Sequence, residues 1–402
     1  MHVILFDDKR WQQLLPLTFT RPVADLRIGI DTITEKWQQA FGQPVSHLTE
    51  PYLAEKFPVQ YGTDHVYIYG GVIPDSGLRS AISNLKQGEA LLVEGEPIAF
   101  RTKEAYFSGM ALCEDLARFT TIDYTANCII ITRPWHIFQY NDQVLRQDYE
   151  RITAHRPGTQ LQAGNQLIGH DIFIEEGAQI HASIINTTSG PVYIGKHAEI
   201  MEGSIIRGPF ALGEHAVVKM GAKIYGPTTI GPGCKVGGEI NNTVFQANSN
   251  KAHDGFIGNS VIGEWCNLGA DTNCSNLKNN YAIVKLWDYQ TQKFINTGLQ
   301  FCGLIMGDHS KCGINTMFNT GTVVGVHANI FGDGFPRNFI PSFSWGGANG
   351  FVTYKLSDAF QTTTAVMARR NLTLDVQDKK ILTTIYELSE KYRKGQLIFL
   401  HK

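Results

Sequence analysis

The sequence predicts a two-part chain: a mixed α/β domain, then a parallel β-helix closed by C-terminal helices. Two observations predict it. Early in the chain, short apolar strands alternate with amphipathic helical stretches, the pattern of a sheet with helices on its faces. From about residue 160 to 340 an apolar residue recurs every six positions, often with glycine behind it. The expected domains are 1–155, 160–345 and 346–402.

In the first domain "HVILF" (2–6) is a buried strand and "GIDTITEKWQQAF" (29–41) a helix with Ile30, Ile33, Trp37 and Phe41 on one stripe. "HVYIYGGVIPD" (65–75) is a strand running into a loop, and "SGLRSAISNLKQG" (76–88) the helix after it. "EALLVEGEPIAF" (89–100) is a hairpin turning at Gly95, and "VLRQDYERI" (144–152) a connecting helix.

The repeat reads Ile194, Ile200, Ile206, Leu212, Val218, Ile224, Ile230, Val236, and resumes at Met306, Cys312, Phe318, Val324 and Ile330. Three hexads make one triangular coil of about eighteen residues. The apolar residue points inward and the small one lets the chain turn. Coils stack at about 4.8 Å, the inter-strand spacing.

Beyond the repeat, 357–370 and 375–395 read as helices. Ile381, Ile385, Leu388 and Tyr392 form a stripe on the second, and Gly395 offers its C-cap.

A formal net charge of -2 over 402 residues gives no broad field for nucleic acid or membrane. No apolar run is long enough to span a bilayer, and "MHVILFDDKRW" is no secretory signal. Seven cysteines without a CxxC pair fit a reducing compartment. The expectation is a cytoplasmic protein.

The beat breaks around "NSNKAHDGFIG" (248–258). Val236 and Phe256 are twenty apart (256 − 236), and the place that should be apolar holds Asn250. Counted from Asn250, His253 takes the fourth place, as His197, His215, His309 and His327 do in regular hexads. Those four are expected to stack in pairs as exposed corner residues, without metal. A second break, "NCSNLKNNYAIVKLWDYQTQKFINTG" (273–298), reads as a loop or strand pair leaving the solenoid.

Together, the solenoid, the first domain and "KAHDGFIGNSVIGEWCNLGADTNCSNLKNN" (251–280) resemble the bifunctional N-acetylglucosamine-1-phosphate uridylyltransferase/glucosamine-1-phosphate acetyltransferase (GlmU-like) family, in its alternative bacterial and archaeal branch. The resemblance implies a left-handed coil, a homotrimer and acetyl-CoA as cosubstrate. It implies His253 as the base that deprotonates the sugar amine attacking the thioester. Asn276 and Asn267 would hold the sugar and the acetyl group. Lys223 and Lys285 would meet the sugar phosphate, and Lys251, Asn241 and Phe256 would line the substrate site with them. Two positions depart from the family: Asn241 stands where a lysine is usual and Phe256 where a tyrosine is. For CoA phosphates the candidates are Arg337 and Lys355.

"LLPLTFTRPVADLRIG" (14–29) resembles the opening of sugar-1-phosphate nucleotidyltransferases, a Rossmann-type fold. There a glycine-rich loop cradles the triphosphate, but "FDDKRWQQ" (6–13) has no glycine. Asp7, Asp8, Arg10, Arg21 and Arg27 are the nucleotide-binding candidates, and Asp75 a possible Mg²⁺ ligand, with Asp64 also nearby. Two readings stay open for this domain: an active transferase using UTP or dTTP, or a relic without chemistry. The alternatives for the whole chain are a glucose-1-phosphate thymidylyltransferase and a non-catalytic solenoid.

Overall fold

The computed structural model describes residues 1–394. Two compact units emerge: residues 1–26 with 31–133, and residues 27–30 with the chain from Pro134 on.

The first unit is built on one six-stranded sheet. Its strands are β1 (His2–Phe6), β2 (Ser46–Leu48), β3 (His65–Tyr69), β4 (Glu89–Val93), β5 (Glu96–Thr102) and β6 (Thr120–Asp123), in the order β2-β1-β3-β5-β4-β6. β1 runs parallel to β2 and β3, whereas β5 is antiparallel to β3 and β4. β3 is buried at every residue, which is why its sequence is apolar without alternation. The β4–β5 hairpin turns on Glu94 and Gly95, both with positive φ, as a tight two-residue turn of this hand requires. Helix α1 (Ile33–Phe41) opens on a capping box between Thr32 and Glu35 and closes on Gly42 in the left-handed region. Helix α2 (Ser76–Ser83) is capped by Asp75 and ends five residues before the expected Gly88. Helix α3 (Gly109–Glu114) follows β5. The parallel strands deliver Asp7, Thr49 and Gly70 to their shared carboxyl edge, where open α/β sheets bind ligands.

The second unit is a parallel β-solenoid with a long helix, α4 (Pro134–Thr153), along its side. Sequence periodicity suggested only 144–152. Asn141 of α4 donates to the Pro227 carbonyl (2.9 Å) and accepts from Gly29 N (2.8 Å); Asp148 accepts from Ile30 N (2.8 Å). These bonds, and the packing of Leu145 against Ala211, put α4 and residues 27–30 with the solenoid. By its contacts the first compact unit ends at 133.

The solenoid core is a column of inward residues on three faces. On the first face Ile194 pairs with Leu212, Leu212 with Ile230, and Ile262 with Met306. On the second, Ile200 pairs with Val218 and Val218 with Val236. On the third, Ile206 pairs with Ile224 and Ile224 with Ile240.

At the first break the register differs from the one read in the sequence. Val236 pairs with Lys251, fifteen positions on (251 − 236) where a regular coil takes eighteen. The inward residue is thus Lys251, not Asn250, and the next is Ile257, not Phe256. The coil has lost residues, and a lysine fills an apolar place. His253 moves from the fourth place to the third.

That move separates His253 from the other histidines. His197, His215, His309 and His327 all have positive φ, as corner residues; His253 does not. The pairs stack as expected, His197 on His215 at 5.2 Å and His309 on His327 at 4.7 Å between ring centroids. Only the first pair is exposed. His327 is 1 % exposed beneath helix α5 (Leu356–Ala368) and bonds to Thr363 (3.1 Å).

The second break is an excursion from the solenoid between Cys274 and Leu304, carrying an antiparallel hairpin of Lys285–Asp288 and Lys293–Asn296. At the C-terminus, helices α6 (Val376–Leu388) and α7 (Glu390–Lys394) replace the single expected helix. Ser389 breaks it, its hydroxyl donating to the Ile385 carbonyl (2.6 Å) and accepting from Arg393 (2.6 Å). Ile381 and Ile385 are buried as the stripe predicted, but Leu388 is exposed. Gly395 lies outside the described residues. Among the described residues no helix is long and apolar enough to cross a membrane.

Candidate active site

His253 stands in the turn between the second and third faces, at the mouth of a cleft of about 720 Å³. The cleft runs along the second face. One wall is the column of residues that precede the inward ones: Lys235, Asn250, Asn267 and Lys311, in register across successive coils. The other wall is the end of α5 with Arg369 and Arg370. Among the described residues no carboxylate lines it. Four cations without a counter-charge in the wall make a field for an anionic ligand.

Its cations differ in freedom. Arg370 anchors the helix end, donating to the carbonyls of Gly233 and Asn248 and to Asn250 Oδ1, with its guanidinium over Trp265. Lys311 donates to the His309 carbonyl (2.8 Å), and burial pulls its ammonium down to about 8. Arg369 and Lys235 are exposed. Sequence reading missed Lys235, Lys311, Arg369 and Arg370. The signal was present: with Lys251 inward, the residue before each inward one becomes a stripe.

The other expected residues of the solenoid fall elsewhere. Lys251 is 1 % exposed in the core, its ammonium bonded to three backbone carbonyls, so it cannot reach a substrate. Lys223 and Phe256 lie on the third face, in one column with Glu239 between them. Asn241 is level with Gly258 on that face. Asn276 does not line the His253 cleft. Its amide donates to Asn259 Oδ1 (2.8 Å), and Asn259 in turn donates to Asn242 (2.9 Å), a ladder of asparagines up one corner. Lys285 is on the excursion hairpin. Arg337 lines a separate cleft of about 580 Å³, with Trp287 stacked on Phe339 (4.3 Å) and Tyr392 and Lys391 at its edge. Lys355 precedes α5.

In the first unit the acid–arginine cluster is closed on itself. Arg10 Nε donates to both oxygens of Asp8 (2.9 Å each), and Nη2 donates to the Pro97 carbonyl (3.0 Å). Its guanidinium lies 3.5 Å from the centre of the Tyr69 ring. Both members of the pair are nearly fully buried. Asp7 accepts from Thr49 Oγ1 (2.6 Å) and Val23 N (3.1 Å). Burial outweighs those bonds and raises its carboxyl to about 7. Gly109 is required beside it, since a Cβ there would meet the Asp7 carbonyl at 2.0 Å. Arg21 is buried. Arg27 belongs to the second unit, where it clasps Gln246: Arg27 Nε donates to the Gln246 carbonyl (3.1 Å), and the Gln246 amide to the Arg27 carbonyl (3.0 Å). It takes no part in the cluster.

These groups do not fit Mg²⁺. Asp75 is spent on capping α2 through Leu78 N (2.9 Å), Asp64 is paired with Arg101 (3.0 Å), and Asp7 is taken by Thr49 Oγ1 and Val23 N. Among the described residues no three His, Cys, Asp or Glu side chains are grouped to hold a metal.

Residues 3–157 match the family described as "Sugar nucleotidyl transferase". A bifunctional sugar-1-phosphate nucleotidylyltransferase/acetyltransferase of Sulfurisphaera tokodaii is 30 % identical over 53 % of this chain and 47 % of its own. The bifunctional protein GlmU of Methanocaldococcus jannaschii is 32 % identical over 22 % of this chain and 21 % of its own. A putative uncharacterized acetyltransferase, YaiX, of Escherichia coli K12 is 34 % identical over 37 % of this chain and 64 % of its own. The chain thus matches less than half the length of the two bifunctional relatives. A sugar nucleotidyltransferase stretch followed by a hexapeptide solenoid fits the GlmU-like resemblance read from the sequence.

Proposed function

We propose that the protein is a transferase of sugar-nucleotide biosynthesis whose solenoid N-acetylates glucosamine-1-phosphate, or a related amino-sugar phosphate, from acetyl-CoA. The observation that carries this reading is His253, exposed at the mouth of a cleft walled by cations. The sugar amine attacks the thioester carbon as His253 takes a proton from it. The oxyanion then collapses, the C–S bond breaks, and CoA leaves as a thiolate that the imidazolium can reprotonate. Arg369, Lys235 and Lys311 supply the charge that an anionic cosubstrate needs. Phe256 and Lys223 lie around the corner on the third face, so the site is best completed by a neighbouring copy; a homotrimer follows from this reading.

For the first unit we propose nucleotidyl transfer from UTP or dTTP to the sugar-1-phosphate. One observation favours the second reading, a domain that binds or docks without chemistry: Asp8 and Arg10 are used up on each other. Pyrophosphate release from UTP or dTTP with Mg²⁺ decides between them.

The test of the solenoid is thiol release from acetyl-CoA with glucosamine-1-phosphate. The wild type should release CoA, and His253→Ala should lose about 10²–10⁴-fold. A variant keeping more than about a tenth of the rate removes the base assignment. No release with any amino-sugar phosphate would favour the non-catalytic solenoid.

A further inference from the structure

A lysine in the core of a β-solenoid needs a reason, because an ammonium there must be fully bonded or carry a large desolvation cost. Lys251 takes the inward place between Val236 below and Leu268 above. Its Nζ donates to the carbonyls of Gly237 (3.1 Å), His253 (2.8 Å) and Asp254 (3.3 Å). All three N–H groups are therefore spent, and two of them on the turn that carries His253.

The cause lies in the coil below. Its corner runs from Val236 to Ile240, four positions, whereas the corner above runs from Lys251 to Ile257, six. Gly237 N donates to the Lys251 carbonyl and Glu239 N to the Gly255 carbonyl. A regular corner closes on itself, as Ala222 N donates back to the Lys219 carbonyl, and its next carbonyl is met from the coil above, as Glu202 is by Gly221 N. The four-position corner has no closing amide for the Gly237 carbonyl, and the six-position corner above overhangs it, so that Asp271 N meets the Asp254 carbonyl and leaves that of His253. The ammonium stands in for the missing amides. The overhang is clamped from both sides. A Cβ on Gly238 would meet Asp254 Cα and the His253 carbonyl at 2.8 Å, and Asp271 N donates to the Asp254 carbonyl from above (3.0 Å).

We propose that Lys251 is a positioning residue: an internal ammonium that replaces the amides of a shortened coil and so fixes the overhang from which His253 reaches the cleft. Burial pulls Lys251 down to about 8, which leaves it mostly charged at neutral pH. The inference rests on His253 as the base, and its tests separate the two.

Reductive methylation of the native protein followed by mass spectrometry tests the wild type directly. Lys235 and Lys223 should be modified and Lys251 protected; equal modification of Lys251 and Lys235 overturns the proposal whatever His253 does. In the acetyl-transfer assay Lys251→Met should lower kcat at least tenfold while KM for acetyl-CoA stays within about twofold. Val218→Ala, a core truncation two coils below on the same face, is the control for general loosening. If it lowers kcat as far as Lys251→Met does, the positioning role fails. Should Lys251→Met not fold, Lys251→Gln, which keeps part of the donor set, is read the same way. Retained rate in His253→Ala would remove the base reading alone, leaving the protection result to judge Lys251.

Discussion

The His253 cleft and the Asp8–Arg10 cluster are the two places where the sequence offered candidate site residues. In three dimensions they are opposites. The solenoid cleft keeps its histidine and Arg369 exposed, and its walls hold cations with no acid among them. The cluster of the first unit is buried and self-satisfied: Asp8 takes Arg10, Arg10 lies on Tyr69, and Thr49 bonds Asp7. What a charged group is bonded to separates a site from a strut, and composition does not report it.

The sharpest way to break this contrast is to remove one residue from each side. His253→Ala should cost about 10²–10⁴-fold in acetyl transfer with the melting curve unchanged. Arg10→Ala should do the reverse. Removing one partner of a buried pair leaves the other charge uncompensated, at about 3–5 kcal/mol. The first unit should unfold early in urea while acetyl transfer by the solenoid persists. A stable Arg10→Ala protein that has lost only pyrophosphate release would turn the strut back into a site.

The next effect is a pH dependence of the first unit. Burial raises Asp7 from 3.8 to about 7, and it raises Glu50 in the same direction. A raised acid favours the fold while protonated. Its contribution is full below 3.8 and is lost as pH rises through about 7, on the order of a few kcal/mol. The urea midpoint of the first unit should fall between pH 5 and 8.5, and Asp7→Asn should flatten that fall. A midpoint that stays flat over this range, in the wild type as in Asp7→Asn, would show that Asp7 ionises freely.

How far these differences could be read in advance follows from the repeat. Six-residue periodicity gave the solenoid, its faces and the stacking of His197 on His215, since each depends only on a regular count. It failed where the count itself changed. Asn250 looked inward because polar residues flank the break and a lysine is not expected in a core. With Asn250 inward, the column of Lys235, Asn250, Asn267 and Lys311 is interrupted at the coil that carries His253, although the other three still precede inward residues. The contribution of Arg369 and Arg370 depends on how α5 folds back over the second face, which local periodicity does not encode. In the first unit the hairpin at Gly95 is local chemistry and was legible; the cap at Thr32, which starts α1 at Ile33 and leaves Ile30 off the helix, is equally local but went unread. The burial of Arg10 under Tyr69 joins residues fifty-nine apart (69 − 10) and was not.

A smaller effect tests the cleft's outer wall. Arg369 is exposed, so its removal forfeits only a screened interaction, about 1 kcal/mol or roughly fivefold. Arg369→Ala should raise KM for acetyl-CoA by that factor, leave kcat alone, and weaken the salt dependence of KM. An unchanged KM would move the cosubstrate's phosphates to another surface.

The smallest expected effect is at the corner histidines, and it guards the whole comparison. His215 has φ 56 and an exposed ring stacked on His197. Asparagine tolerates that backbone, so His215→Asn removes the stack and little else. Stability should move by no more than about 0.5 kcal/mol, and acetyl transfer not at all. His253 differs from His215 in backbone conformation, in its place in the hexad and in the cleft before it. If His215→Asn slowed acetyl transfer tenfold, those differences would no longer pick out the base, and the shortened coil beneath His253 would be an irregularity without a chemical consequence.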